Sequence, residues 1–233
     1  FTGPTTVNAG RLQVNGVYSS SINVRQQATL STVNAVINSD ITNDGTVENT
    51  GSTQVSGNYQ ALENSRVVAD LNSNLHVKGK VNLNNSKLEI KPEENGERKY
   101  VTAKGTTQNV ITSDNKIEGN FETVDTDEML NAQVNQNENT VSTQVSRKNV
   151  LDYVEKIAES DEMQKNTAQN LETAFQNLDE NIENGTAGNV AQFERKAATL
   201  QALTSSNRAA VLDSLSGQIY ASAQALTFQH SQT

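Results

Sequence analysis

The chain has no cysteine and no tryptophan, only two prolines, and aromatic residues at 4% of its 233 positions. Without cysteine there is no disulfide, no thiolate nucleophile and no cysteine-ligated metal. The same absence suits a chain exported unfolded, because a disulfide closed too early would block a narrow pore. Hydrophobic residues reach 34%, which is little for a large globular core but enough for a thin one, a single side chain deep. No segment approaches the roughly 20 apolar residues that span a bilayer as a helix, and no signal peptide opens the sequence. Phe1 is not an initiator methionine, so the sequence reads as a fragment or a processed product. Positive charge is scarce as well: 18 Lys and Arg against 27 Asp and Glu leave a net charge of −9. Nucleic acid and anionic lipid both require a basic footprint, so neither is expected as a partner. The acidity reads as solubility.

What the chain does have is a recurring phrase of apolar, polar and apolar residues beside Asn and Gly. It occurs as Leu12-Gln13-Val14-Asn15-Gly16, Thr53-Gln54-Val55-Ser56-Gly57-Asn58-Tyr59 and Leu75-His76-Val77-Lys78-Gly79. Val47-Glu48-Asn49-Thr50-Gly51 and Val81-Asn82-Leu83-Asn84-Asn85 are weaker echoes. Alternation puts the two apolar residues on one face of a short strand. Asn and Gly accept the backbone angles of a tight corner. Short strands at irregular spacing, each ending in such a corner, describe the coils of a β-solenoid better than the hairpins of a sandwich. Proline and glycine are modest and no low-complexity run is present, so disorder throughout is not expected.

Residues 1–125 therefore read as β. At roughly 20 residues per coil, about six coils fit, and corner asparagines are placed to form hydrogen-bonded ladders between coils. From Val67 the strands lengthen, through Val67–Leu71, Val81–Leu83 and Leu88–Lys91. A charged turn over 91–99 and strands out to Val124 offer a cap for the open end of the solenoid, with residues 88–124 supplying it. Residues 126–148 are polar, with Val134, Val141 and Val145 thinly spread, and read as a linker with room for one last strand. Residues 149–233 read as an α-helical domain. Leu151, Val154 and Ile157 mark a short helix, and Leu171, Phe175, Leu178 and Ile182 form one face of a longer one, with Asn184-Gly185 as its stop. Val190, Phe193, Ala197 and Leu200 make another stripe, Leu212, Leu215, Ile219, Ala223 and Leu226 the last, and Ser205-Ser206-Asn207 offers its N-cap. Narrow stripes hold only if the helices pack on each other, so a small bundle is expected.

Chemistry is hard to find. His76 lies in a strand phrase and His230 near the C-terminus, with no acid and nucleophile beside either in sequence. No G-x-S-x-G elbow and no phosphate-cradling glycine loop occurs. Asp40-Ile41-Thr42-Asn43-Asp44-Gly45 opens like a calcium loop, but its twelfth position is Gly51, where a bidentate glutamate is needed. Asp125, Asp127 and Glu128 form a small acidic cluster best read as solvated linker. Asn184-Gly185-Thr186 fits a glycosylation sequon, and a helix stop accounts for it as well. The expectation is a segment with no catalytic residues, no metal and no cofactor.

Three blocks resemble one family. Thr2-Gly3-Pro4-Thr5-Thr6-Val7-Asn8-Ala9-Gly10-Arg11-Leu12-Gln13-Val14-Asn15-Gly16 is similar to the passenger-associated repeat of classical (type Va) bacterial autotransporters. Residues 46–124 resemble the autochaperone end of their β-helix, through Gly57-Asn58-Tyr59, Val67–Leu71 and Leu75–Gly79. Leu212–Ser222 looks like the helix that precedes the translocator barrel, often in subtilisin-like protease autotransporters. The order of the blocks is more specific than any one of them. No barrel strands follow Thr233 and no subtilase motif occurs, so neither pore formation nor proteolysis is assigned to these residues.

The resemblance implies a right-handed parallel β-helix, residues 1–125, with its autochaperone end at about 46–125, then the linker and the helical domain leading to a barrel. It implies Tyr59, Leu75, Val77, Leu88, Ile90 and Phe121 as the packing residues of the autochaperone. Leu215, Gly217, Ile219 and Ala221 belong to the pre-barrel helix, where small residues suit either a narrow lumen or close helix packing. The implied function is a monomeric, non-catalytic stalk that folds first at the bacterial cell surface and promotes translocation of an upstream effector. Its partners would be that N-terminal passenger and a C-terminal barrel, its only route to the membrane. The alternative from the residues alone is a β-solenoid adhesin or binding module, with Tyr18, Tyr59 and Tyr100 as candidate anchors.

Overall fold

The structure is a computed structural model that describes residues 3–156, 160–186 and 191–217. It comprises two compact units. One contains residues 1–99, 105–126 and 132–145. The other contains 100–104, 127–131 and 146–233.

The first unit is a parallel β-solenoid of about five coils with three walls. β1 (Thr5–Val14) and β3 (Ile22–Val33) are long enough to run through two walls each. β2 (Val17–Tyr18) and β4 (Val36–Ile37) complete their coils on the third. Later coils break at the corner. The first wall continues through β5 (Ile41–Asn43), β8 (Tyr59–Ala61), β11 (Val81–Asn82) and β16 (Ile117–Glu118). The second continues through β6 (Thr46–Thr50), β9 (Arg66–Asp70), β12 (Lys87–Lys91) and β17 (Thr123–Asp125). The third continues through β7 (Ser52–Val55), β10 (Asn74–Val77) and β15 (Thr106–Ser113).

Alternation decides what fills the centre. On the first wall Thr5, Ile22, Ile41, Tyr59, Val81 and Ile117 lie in one register. On the second, Leu12, Leu30, Val47, Val67, Leu88 and Val124 do the same. On the third, Tyr18, Ile37, Val55, Val77 and Ser113 stack. Each coil adds one apolar layer to the last, so 34% hydrophobic composition suffices. The coil count is below the six that length suggests, because the rung from Val81 to Ile117 is enlarged well beyond roughly 20 residues. It includes an antiparallel hairpin of β13 (Glu93–Glu94) and β14 (Glu97–Arg98), turning at Asn95 and Gly96 with φ of 53° and 80°. This pair of positive angles is what a two-residue hairpin loop requires.

Residues 126–148 hold two strands where a linker with one was expected. β19 (Thr140–Arg147) pairs antiparallel with β15, and β18 (Leu130–Gln136) lies next to it. The inward row of β19 is Val141, Thr143 and Val145, all fully buried. A threonine in that row disguises the alternation, which is why the segment reads as merely polar.

In the second unit, α1 (Val150–Lys156), α2 (Glu162–Glu183) and α3 (Ala191–Leu200) are followed by α4, described over 208–217. Asp161 caps α2 by accepting the Gln164 N–H at 2.8 Å, and Gly185 takes φ 72° just past its end. Leu171, Phe175 and Leu178 turn inward with Val150, Val154, Ala197, Leu203 and Leu212, and with Tyr100 and Met129 from outside the helices. Ile157, Val190, Ile219, Ala221, Ala223, Leu226 and His230 lie outside the described residues.

Candidate functional site

The autochaperone candidates are core residues of three successive coils. Tyr59 is 1% exposed on the first wall, between Ile41 and Val81. Leu75 and Val77 are buried on the third wall, opposite Thr53 and Val55 on one side and Ile111 and Ser113 on the other. Leu88 and Ile90 are buried on the second, beside Val67 and Ala69. Phe121 is buried in the connection from β16 to β17. They belong to one stack but not to one surface. Of the pre-barrel candidates, Leu215 packs against the helical core, and a Cβ on the exposed Gly217 would meet nothing.

Burial pushes the Tyr59 phenol well above its ordinary pKa, only partly offset by the Asn43 amide, which donates to its oxygen at 3.1 Å. Asn43 is itself fully buried. Its Nδ2 also reaches the Arg66 carbonyl at 3.0 Å, and its Oδ1 accepts the Gly45 N–H at 3.1 Å. One asparagine thus ties the ring, the corner and the next coil.

The corners carry the ladder expected of asparagine, in a different form. Side-chain oxygens accept backbone N–H groups of the following coil. Asp40 accepts from Asn58 at 2.7 Å, Asn58 from Lys80 at 2.8 Å, and Asn34 from Ser52 at 3.0 Å. Asn34, Gly51 and Asn72 take φ of 47°, 71° and 60° at equivalent corners, the left-handed conformation that Asn and Gly tolerate. Sequence reading finds the corner residues but not their partners, because the bonds join positions a whole coil apart.

Gly57 and Gly79 stack at one corner, the Gly79 N–H donating to the Gly57 carbonyl at 3.0 Å. A Cβ on Gly79 would lie 2.3 Å from that oxygen. Gly79→Ala is therefore expected to destabilise the solenoid by about 1–3 kcal/mol. Urea unfolding followed by circular dichroism measures it, and an unchanged midpoint would show that the coils separate there at no cost.

At the C-terminal end the third wall is covered by the antiparallel strands. The turn after β18 brings the Glu138 carbonyl to the Ile117 N–H at 2.7 Å and the Asn139 carbonyl to the Ser113 N–H at 2.9 Å. Gln136 donates to the Gly119 carbonyl at 2.8 Å. Edge groups that would otherwise be unpaired are thereby satisfied. At the other end, β1 pairs with β3 alone among the described residues.

On the third wall, His76 bridges two coils rather than standing free. Its Nδ1 lies 3.0 Å from Thr112 Oγ1 and its Nε2 3.3 Å from Asp114. Thr112 gives its proton to Asn74 Oδ1 at 3.2 Å. These contacts tie β10 to the end of β15.

The second unit encloses an ion cluster that no motif announced. Arg147, with a side chain 3% exposed, reaches both Glu172 oxygens at 3.0 Å and Asp179 Oδ2 at 2.8 Å. Glu172 also accepts the Val150 N–H at 2.7 Å. Asp179 accepts the Tyr100 hydroxyl at 2.8 Å and the Ala103 N–H at 3.2 Å. The guanidinium lies 5.6 Å from the centre of the Phe175 ring, and Tyr100 meets that ring edge-on. Burial opposes the Arg147 charge, but Asp179 and its neighbours override it and raise the pKa. Among the described residues, no group of three metal-ligating side chains occurs.

No known protein family matches the sequence, and no curated protein is similar to it.

Proposed function

We propose that this chain is the non-catalytic stalk and autochaperone of an autotransporter passenger, acting at the bacterial cell surface. The observation that carries the reading is the polarity of the solenoid. Parallel coils stack in register, and at the C-terminal side the third wall passes into antiparallel strands. A segment that emerges C-terminus first could fold its closed end and then offer an edge to each later coil. Every added coil would bury an apolar layer and close only a short loop, so each step costs little chain entropy. The upstream passenger and a downstream barrel would be its partners. The blocks at both ends of the chain support this reading, and the last of them favours a subtilisin-like protease as the cargo.

The test is an in-frame deletion of residues 55–124 in the parent protein. Surface labelling of the upstream passenger should fall while the barrel still inserts. Normal display would sink the proposal, and so would a reading frame that encodes no barrel beyond Thr233.

A further inference from the structure

The first wall carries an open groove of about 290 Å³, entirely within the solenoid unit. Its lining comes from four successive coils. Thr42, Gln60, Asn82 and Glu118 occupy one register on the outward side, and Asp40, Asn58 and Lys80 stand at the corner before them. Neighbouring strands are about 4.8 Å apart, so the groove repeats a polar position at each coil along the stack.

Four of these side chains, Asp40, Asn58, Gln60 and Asn82, are fixed at one atom and unspent at the other. Asp40 and Asn58 use one oxygen each on the next coil's backbone. Asn82 Oδ1 accepts the Asn84 N–H at 3.1 Å, and Gln60 Nε2 donates to the Ala61 carbonyl at 2.8 Å. Among the described residues, nothing in the protein bonds to the Asn58 and Asn82 amide nitrogens, the Gln60 carbonyl, the second Asp40 oxygen or the Glu118 carboxylate. Pinning one end removes most of the rotamer entropy that binding would otherwise cost. Donors and acceptors alternate, and two carboxylates outweigh one ammonium. Such a surface does not suit a polyanion. With Ile41, Tyr59 and Val81 buried beneath it, it does not suit an apolar ligand either.

We propose that this groove binds an uncharged linear glycan lying along the stacked coils. Hydroxyls both donate and accept, which matches a mixed array, and a repeating chain matches a repeating register. No aromatic platform is present, so each sugar contributes little and affinity grows with chain length. The proposal stands apart from the stalk reading and does not depend on it.

The whole chain would be titrated with cello-, malto- and chito-oligosaccharides while its amide NMR spectrum is recorded. Shifts centred on Thr42, Gln60, Asn82 and Glu118, at dissociation constants of about 1 mM, are expected for at least one series. The double variant Gln60→Ala with Glu118→Ala keeps every bond in the corner ladder and should weaken that binding about tenfold. No shift with any of the three, binding unchanged in the double variant, or stronger binding of a sulfated glycan would each overturn the proposal. None of these outcomes bears on surface display, so the two readings fail separately.

Discussion

Replacing Arg147 with Ala should cost the helical unit about 3–5 kcal/mol, the range for removing one member of a buried ion pair. Among the described residues the guanidinium is the only cation in its cluster, and its loss would leave Glu172 and Asp179 facing each other in a buried site. Helical signal in a urea titration measures the loss. A second variant separates the ion pair from the hydrogen bonds around it. When a buried triad is swapped for apolar side chains, stability often survives. Here Arg147→Met, Glu172→Met and Asp179→Leu together should not restore it. The Tyr100 hydroxyl and the Val150 and Ala103 N–H groups donate to those carboxylates, and each orphaned donor costs about 1–3 kcal/mol. Full recovery in the triple variant would mean that the carboxylates serve only the arginine.

Tyr59→Ala is the corresponding change in the solenoid, with an expected loss of about 3–5 kcal/mol. The ring is the largest fully buried side chain of its unit and fills one layer of the first wall. A core one side chain deep has nothing behind that layer to collapse into the hole. Tyr59→Phe keeps the packing and gives up only the Asn43 bond, for about 1 kcal/mol. The contrast also bears on the proposed function. If the closed end folds first and templates the rest, Tyr59→Ala should slow refolding of the whole solenoid and Tyr59→Phe should not. Equal refolding rates would remove Tyr59 from any templating role.

The two changes probe different levels of legibility. Tyr59 is reached through the family resemblance, while the residues alone leave it equally open as a binding anchor; its burial is a finding of the structure. Leu75, Val77, Leu88 and Ile90 come from the same resemblance, and for Leu75 and Val77 the alternating phrase before Gly79 also places both on one strand face. Arg147 could not be found, since its importance lies in carboxylates 25 and 32 residues away. Residues 126–148 read as a linker with room for one strand rather than as the pair β18 and β19 for a related reason: the buried row of β19 contains Thr143, whose polarity hides the period.

By itself, the sequence determined the class of fold. Period-two alternation in short runs, corner residues that accept positive φ, and a change to helical spacing after residue 148 leave little besides a solenoid followed by helices. Those are local preferences, each written in a handful of neighbouring residues. The tertiary structure alone decided the rest: the coil register, the Asp40–Asn58–Lys80 ladder, the antiparallel closure by β19 and the Arg147 cluster. All of these depend on groups far apart in the chain, whose pairing is fixed by stacking and burial and leaves no periodic mark in the sequence.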